Sequence, residues 1–493
     1  MSSGLLHAQS RELVSTDVAQ RYGLERVWFT QVRVNPGRGR IRDIRLHVSG
    51  TRAQTISEVV TDQGRKYVYS ERHLNAFGEP MGVEGAAKKA AERVELLKAD
   101  GIAARVEQHV VPDITVYATT DQGMVHALDG ETGQTIWASA VGESQYPTSA
   151  AAVSEELVAV VNGQTLSVLD ARTGAVIEER RISGAPATGA AIIDRTVYVP
   201  MLNGQIKAFT FAEKASRWPV IYRSRGAIRF QPTVAGRRVV WPTDLGIISA
   251  ILAQRPGIRY RLELNEGIAG PLLYSPPQQV LCVTSSGYLY SFDPRNGDVQ
   301  WRFNTGDETG EPAAIVGETV YVFTRWSGMY AVSAAKGEIE WSAPLAAKFV
   351  AATRDNVFAT TRNGQLIILD AKTGQVRTQI PTDESNMLFA NNQTDRIYVG
   401  THSGVLQCFR EIGADWPTIH VPGFEEAAEK PGAKAKEEGT APEKPVDPFR
   451  DPGAVDGAQP RTPAENPFGA AAPDTGKAER KQEPPAKSEN PFD

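Results

Sequence analysis

Eight glycine-centred turns recur along the middle of this chain, at Gly123, Gly163, Gly204, Gly246, Gly287, Gly328, Gly364 and Gly404. Their spacings are 40, 41, 42, 41, 41, 36 and 40 residues. A period of this size means that each unit is one supersecondary element, able to bury its apolar surface only against its neighbours, as in a solenoid or a propeller. The residues before each turn are β-branched or aromatic. They read Val116-Tyr117-Ala118, Leu157-Val158-Ala159-Val160, Val197-Tyr198-Val199 and Val239-Val240-Trp241, then Leu281-Cys282-Val283, Val320-Tyr321-Val322-Phe323, Val357-Phe358-Ala359 and Ile397-Tyr398-Val399. Such residues suit a pleated surface. Asn162-Gly163, Asn203-Gly204 and Asn363-Gly364 accept the positive φ of a tight hairpin turn. Residues 106–423 therefore read as an all-β propeller of four-stranded blades, eight of them, or seven if one copy is incomplete.

Several units carry a second mark. Leu128-Asp129-Gly130-Glu131-Thr132-Gly133 is followed four residues later by Trp137. Leu169-Asp170-Ala171-Arg172-Thr173-Gly174 and Leu369-Asp370-Ala371-Lys372-Thr373-Gly374 repeat the turn, with Glu178 and Thr378 in place of the tryptophan. Phe292-Asp293-Pro294-Arg295-Asn296-Gly297 ends at Trp301, and a looser copy, Ser333 to Gly337, ends at Trp341. Asp bonds the backbone within such a turn and Gly takes its positive-φ position. The Trp supplies apolar area for packing between neighbouring units. The units from Val197 to Tyr222, Val239 to Leu264 and Ile397 to His420 lack the Asp-x-x-Thr-Gly turn.

A β-branched strand, a Gly turn, then Ala-Leu-Asp-x-x-Thr-Gly-x-x-x-Trp resembles the signature of PQQ-type (pyrroloquinoline-quinone-like) propeller repeats, and residues 116 to 137 match it closely. The resemblance covers about two-thirds of the chain. Its catalytic members, the quinoprotein alcohol and sugar dehydrogenases, imply PQQ with Ca²⁺, an adjacent cysteine pair, an Asp base and a carboxylate–amide set. Cys282 and Cys408 stand three blades apart, so no vicinal pair exists, and each reads as a small buried hydrophobe. The chain is more similar in role to the non-catalytic branch, which includes the propeller lipoprotein of the outer-membrane β-barrel assembly machine. That similarity implies an interaction scaffold outside the cytoplasm, with protein partners and no cofactor. A PQQ-dependent dehydrogenase and a sugar- or small-molecule-binding sensor are the alternatives.

The flanks differ in character. The N-terminal segment, 1–105, reads as a small α+β unit. Val27–Val34 and Ile41–Val48 read as one hairpin around Asn35-Pro36-Gly37, and Ile56–Val60 with Lys66–Tyr69 as a second. A helix is predicted over Glu84–Asp100, with Val83, Ala87, Ala90, Val94 and Leu97 on one face and Gly101 ending it. Arg33, Arg38, Arg40, Arg42 and Arg45 fall on the first hairpin, as a solvated face or an anion contact. Residues 424–493 are rich in Pro, Ala, Glu and Lys without apolar periodicity, which predicts a disordered tail. Three units in it, Asp447-Pro448-Phe449, Asn466-Pro467-Phe468 and Asn490-Pro491-Phe492, read as turn formers or as linear-motif anchors centred on Phe449, Phe468 and Phe492.

The charge balance narrows function further. A net charge of −5 without a basic cluster argues against nucleic acid. No run approaches the 18 or so apolar residues of a membrane-spanning helix. The start, Met1 to Ser10, has no basic n-region, so no intact secretory signal is visible; Leu5-Leu6-His7-Ala8-Gln9 is alternatively read as the tail of a clipped signal, and the extracytoplasmic or periplasmic location rests on the resemblance, with the cytoplasm as the alternative. No histidine lies at i, i+2 or i, i+4 from another, and no phosphate loop or nucleophile elbow stands out, so no catalytic, cofactor or metal residue is assigned. In a propeller the turns between second and third strands gather on one face. That face would collect Asp121, Leu202, Asp244, Arg325, Trp326, Arg362 and His402 as a partner-binding surface for a monomeric chain. Trp326 stands out because Trp and Arg are typical interface anchors; packing within its own blade is its other reading.

Overall fold

The computed structural model describes residues 13–35, 39–212, 215–380, 382 and 387–420. Eight antiparallel sheets follow one another and form an eight-bladed propeller, which resolves the choice between seven blades and eight. Helix α1 (Thr16–Arg21) precedes strand β1 (Leu24–Gln31). Blade 1 contains β2 (Ile41–Thr61), β4 (Ala104–Thr120), β5 (Met124–Asp129) and β6 (Thr135–Ala140), with β3 (Lys66–Ser70) at the far end of β2. The typical blade is the third: Ala191–Ile193, Thr196–Pro200, Gln205–Thr210 and Val220–Arg223, paired in that order.

Strand position decides strand chemistry. Second and third strands lie between neighbouring blades, so they are apolar on both faces: Leu157–Asn162 is buried throughout, as is Thr196–Pro200. Fourth strands have one face in water and alternate, as Val299–Asn304 does.

The tryptophans and the Asp-x-x-Thr-Gly turns work together between blades. Asp129 Oδ1 accepts from the backbone N–H groups of Glu131 (2.9 Å) and Thr132 (3.0 Å), closing the turn. Trp137 donates its Nε1–H to the Ala171 carbonyl in the next blade at 3.0 Å; Trp301 and Trp341 do the same to Ala334 (3.0 Å) and Ala371 (2.9 Å). Each ring covers the glycine of that next turn. At Gly374 the φ of +69° and a Cβ position 2.3 Å from the Trp341 ring both exclude a side chain.

The N-terminal segment departs from the expected arrangement in two ways. First, Val27–Val34 and Ile41–Val48 are not a hairpin. Strand β1 pairs with Val405–Glu411 and becomes the fourth strand of blade 8, while the first half of β2 is the innermost strand of blade 1. Trp28 on β1 completes the series, donating to the Gly130 carbonyl at 2.8 Å and covering Gly133. The ring is thus closed by a strand lying more than 370 residues before its partner in the chain. Second, no boundary falls at 105/106. Strand β4 runs through it, and residues 13–420 belong to one compact unit. The α+β unit is an excursion within blade 1. Beyond an irregularity between Val48 and Ala53, β2 and β4 continue as a pair out to Thr61 and Ala104, and β3 adds to that outer sheet.

The second hairpin is as expected, with Ile56 opposite Ser70 and Val60 opposite Lys66. Helix α2 (Gly82–Ala99) packs on the outer sheet through Ala86, Ala90, Val94 and Leu97, next to Val59, Tyr67 and Tyr69. Val83 and Ala87 were expected on that face. Val83 is instead exposed, one turn too early to reach the sheet, and Ala86 replaces Ala87. Glu155 of blade 2 fastens the base of the excursion. It accepts from Ser49 Oγ (2.6 Å) and Gly50 N (2.8 Å), with Arg52 at 3.7 Å.

Candidate functional site

The turns between second and third strands, together with the loops that link one blade to the next, form one face of the propeller. Trp326 lies in the turn between Thr319–Phe323 and Met329–Ser333. Gly328, at φ +87°, closes that turn, with Thr324 N donating to the Gly328 carbonyl at 2.9 Å. The preceding inter-blade loop holds the turn from outside. Asp307 Oδ2 accepts from the backbone N–H of Trp326 and of Ser327, both at 2.8 Å, and Arg325 N donates to the Glu308 carbonyl at 2.7 Å. Burial works to raise the Asp307 carboxyl, but the backbone donors of Ser327 and Trp326 outweigh it and hold the group below its ordinary range.

A fixed backbone with a projecting ring is the result. The Trp326 side chain is 67 % exposed, so packing within the blade is not its role. The Arg325 and Arg362 guanidinium carbons stand 5.4 and 5.9 Å from its ring centroid. Arg362 also donates to the Trp326 carbonyl from the next blade at 2.5 Å. Cations at this distance from an indole face are attracted by the ring quadrupole and orient it. Both arginines line a cavity of about 950 Å³ whose wall includes Ser285, Asp307, Thr309, Glu311 and Lys348. The charges there are matched, with Arg325 3.1 Å from Glu308 and Lys348 3.0 Å from Glu311. Its lining contains no histidine or cysteine among the described residues. What the surface offers is an aromatic anchor beside hydroxyls and ion pairs that can exchange partners.

Of the residues expected on this face, Arg325, Trp326 and Arg362 come together. The others act elsewhere on it. Asp121 accepts from Arg40 N at 2.8 Å, tying the loop after β1 to blade 1. Asp244 accepts from Ala227 N at 2.7 Å and stands 3.7 Å from Arg229. His402 Nδ1 lies 3.1 Å from the Ile41 carbonyl across the ring-closing junction. Leu202 is half exposed and its N–H is held by the Ala185 carbonyl at 3.0 Å. Sequence reasoning missed Asp307, Glu308, Glu311 and Lys348. Asp307, Glu308 and Glu311 belong to an inter-blade loop, which carries no repeat pattern, and Lys348 opens the inner strand of the next blade, Lys348–Ala352; the acidic run Asp307-Glu308-Thr309-Gly310-Glu311 was the only signal. Arg45 lies not on a hairpin but on the inner strand of blade 1, 2.5 Å from Gln231 of blade 4. Arg38, the tail 424–493 and its anchors Phe449, Phe468 and Phe492 lie outside the described residues.

The two thiols are buried, and burial pushes both well above the ordinary thiol range, as expected of packed hydrophobes. Among the described residues no helix is long and apolar enough to cross a membrane.

Comparison with known proteins supplies the family through the sequence profile. A sequence profile described as "Outer membrane protein assembly factor BamB" matches residues 59–267 and 285–413. A curated relative, the outer membrane protein assembly factor BamB of Moranella endobia (strain PCIT), is 21 % identical over 261 residues, 48 % of this chain and 66 % of that protein. The match therefore spans just under two-thirds of the relative's length. Among solved structures, BamB from Moraxella catarrhalis is 18 % identical with a TM-score of 0.48, covering 60 % of this chain and 91 % of that one. Saccharomyces cerevisiae Sqt1 is 13 % identical with a TM-score of 0.49, covering 60 % and 93 %. The profile takes in more than half of the sequence, and its repeats are the blades described above: this chain belongs to the PQQ-type repeat propeller family described as outer membrane protein assembly factor BamB.

Proposed function

We propose that this protein is a non-catalytic interaction scaffold of the cell envelope, and that a protein partner docks on the face around Trp326, Arg325 and Arg362. The observation that carries the reading is the exposed Trp326 ring. Its backbone is held by Asp307 and its face is set by two guanidinium groups, beside a 950 Å³ cavity. A pre-oriented aromatic with flanking arginines loses little freedom on binding, which is what an interface anchor requires. The envelope assignment is supported by the family description and by the name of the curated relative. Asp121, Asp244 and His402 shape the same face by fixing its loops, and the chain acts as a single copy.

The test is capture of partners from envelope extracts by the full chain, compared with Trp326→Ala/Arg325→Ala. An anchor of this kind contributes roughly 2 kcal/mol or more, about 30-fold in affinity. Partners captured by the native chain should be lost from the double variant while its thermal unfolding is unchanged. Equal capture by a folded double variant would remove this face from the account.

A further inference from the structure

We propose that Glu58, Glu107 and His109 form a binding site for a divalent transition-metal cation on the outer sheet of the excursion. This is independent of the partner face. Glu58 on β2 lies directly opposite Glu107 on β4, and His109 follows Glu107 by two residues, so all three side chains share one face. That face is the one turned away from α2, because the neighbouring Val59 is the residue packed on the helix. Like charges directly opposite in a sheet repel, so this pairing is unfavourable unless positive groups offset it.

The side chains are arranged around such a gap. Each carboxylate has one oxygen committed to a cation: Glu58 Oε1 lies 3.6 Å from Lys66 Nζ, and Glu107 Oε1 accepts from Arg105 Nε at 2.5 Å. The other oxygen of each is turned to His109 Nε2, at 3.9 Å from Glu58 Oε2 and 3.6 Å from Glu107 Oε2. These separations are too long for hydrogen bonds. One donor atom from each of the three residues can be chosen so that all lie within 4.8 Å of one another. Tetrahedral ligands at about 2.0–2.2 Å from one cation stand roughly 3.3–3.6 Å apart, so the three atoms would draw together by small side-chain rotations on binding.

Two further observations point to a ligand. His109 Nε2 is buried without a hydrogen-bond partner. Glu58 is only 6 % exposed, and its cationic neighbours, Lys66 at 3.6 Å and His109 at 3.9 Å, stand just beyond hydrogen-bond distance of its carboxylate. Buried polar groups are normally satisfied, so the His109 nitrogen calls for a partner. The Trp416 ring packs on the His109 ring at 4.5 Å and restrains it, while Lys66 is held at 3.0 Å by Asp415. One imidazole nitrogen with two carboxylate oxygens suits Zn²⁺, Mn²⁺ or Fe²⁺ better than Ca²⁺, which takes six to eight oxygens. Glu58, Lys66, Asp415 and Trp416 also border a cavity of about 580 Å³, from which water could complete the coordination. Sequence spacing concealed the site because its ligands come from two strands 49 residues apart at their crossing.

The test uses the tag-free, chelator-treated full chain titrated with ZnCl₂ by calorimetry, with MnCl₂ and CaCl₂ as comparators. Co²⁺ absorption reads the coordination directly. One Zn²⁺ per chain is expected, with Ca²⁺ far weaker. Glu58→Gln and His109→Asn should each weaken binding by more than the roughly 10–100-fold that follows loss of an outer-shell partner. Circular dichroism of both variants should match the native chain, since Gln at 58 relieves the facing charges without changing shape. Absence of saturable Zn²⁺ uptake would overturn the site and leave His109 as a simple bridge between two carboxylates. Uptake of equal strength in both folded variants would overturn it as well.

Discussion

Ring closure places one fully buried ion pair between the last blade and the first, and its removal is the sharpest test of this structure. Arg396 has no solvent exposure. Its Nη2 and Nε reach Glu131 Oε2 and Oε1 at 3.0 and 3.3 Å, and Nη1 and Nη2 donate to the Ala414 and Asp415 carbonyls at 3.2 Å. Glu131 lies in the Asp-x-x-Thr-Gly turn of blade 1, so the pair joins blade 8 to the turn that Trp28 covers. Arg396→Met would leave the Glu131 carboxylate buried, with Asp395 as its charged neighbour and two carbonyls without donors. Removing one partner of a buried pair costs about 3–5 kcal/mol. For a unit spanning Met1–Ala433 the unfolding entropy is roughly 0.9 kcal/mol/K, so the midpoint should fall by ~3–6 °C. Glu131→Gln should cost a similar amount by stranding the guanidinium. The double variant Glu131→Gln/Arg396→Met removes both charges and should cost much less than the sum, giving a coupling of ~2–3 kcal/mol. Calorimetric unfolding of the four proteins reads the whole cycle. Single variants that each lose under about 1 kcal/mol, or strictly additive effects, would refute the claim that this pair locks the ring.

Two further outcomes follow from the same junctions. Trp28 is buried against Tyr398 and Cys408, so Trp28→Ala should cost ~3–5 kcal/mol in denaturant unfolding, and Trp28→Phe less because the ring contact persists while the bond to Gly130 is lost; equal losses would argue against that packing. At the base of the excursion, His47 at 3.8 Å is the largest influence lowering the Glu155 carboxyl, acting across a gap longer than a hydrogen bond; burial opposes it, Ser49 and Gly50 assist, and the group sits at about 2 instead of 4.5. A depressed carboxyl contributes stability above its ordinary value and loses it as pH falls toward 2. Hydrogen-exchange protection of Gly50–Arg52 should therefore decline between pH 4.5 and 2 in the native chain and be low and flat in Glu155→Gln; a parallel decline in both would sink the assignment.

The repeated units were legible because their information is local. Asn162-Gly163 and Asn203-Gly204 announce tight hairpins, and Leu128-Asp129-Gly130-Glu131-Thr132-Gly133 closes its turn with its own aspartate, so each reads correctly without knowledge of its neighbours. The face around Trp326 was legible in part. Turn position alone selected Arg325, Trp326 and Arg362, but their convergence depends on the angle between blades 6 and 7 and on Asp307, which no pattern marks.

Sequence by itself determined the blade, its four-strand grammar and the role of the tryptophans in packing one unit on the next, because the β-branched periodicity and turn chemistry of each copy act over a few residues; the choice of eight blades over seven and the glycine that each tryptophan covers came from the structure. Only the tertiary structure decided what the N-terminal strand does. β1 and the first half of β2 look like a hairpin, being two strands separated by a glycine turn, yet pairing β1 with Val405–Glu411 closes the ring, buries Trp28 and leaves neither end blade with an uncovered face. The same holds for Glu58, Glu107 and His109, and for Arg396 with Glu131: residues 49 and 265 positions apart meet because β-sheet register and ring closure place them there, and neither is written in any local stretch of chain.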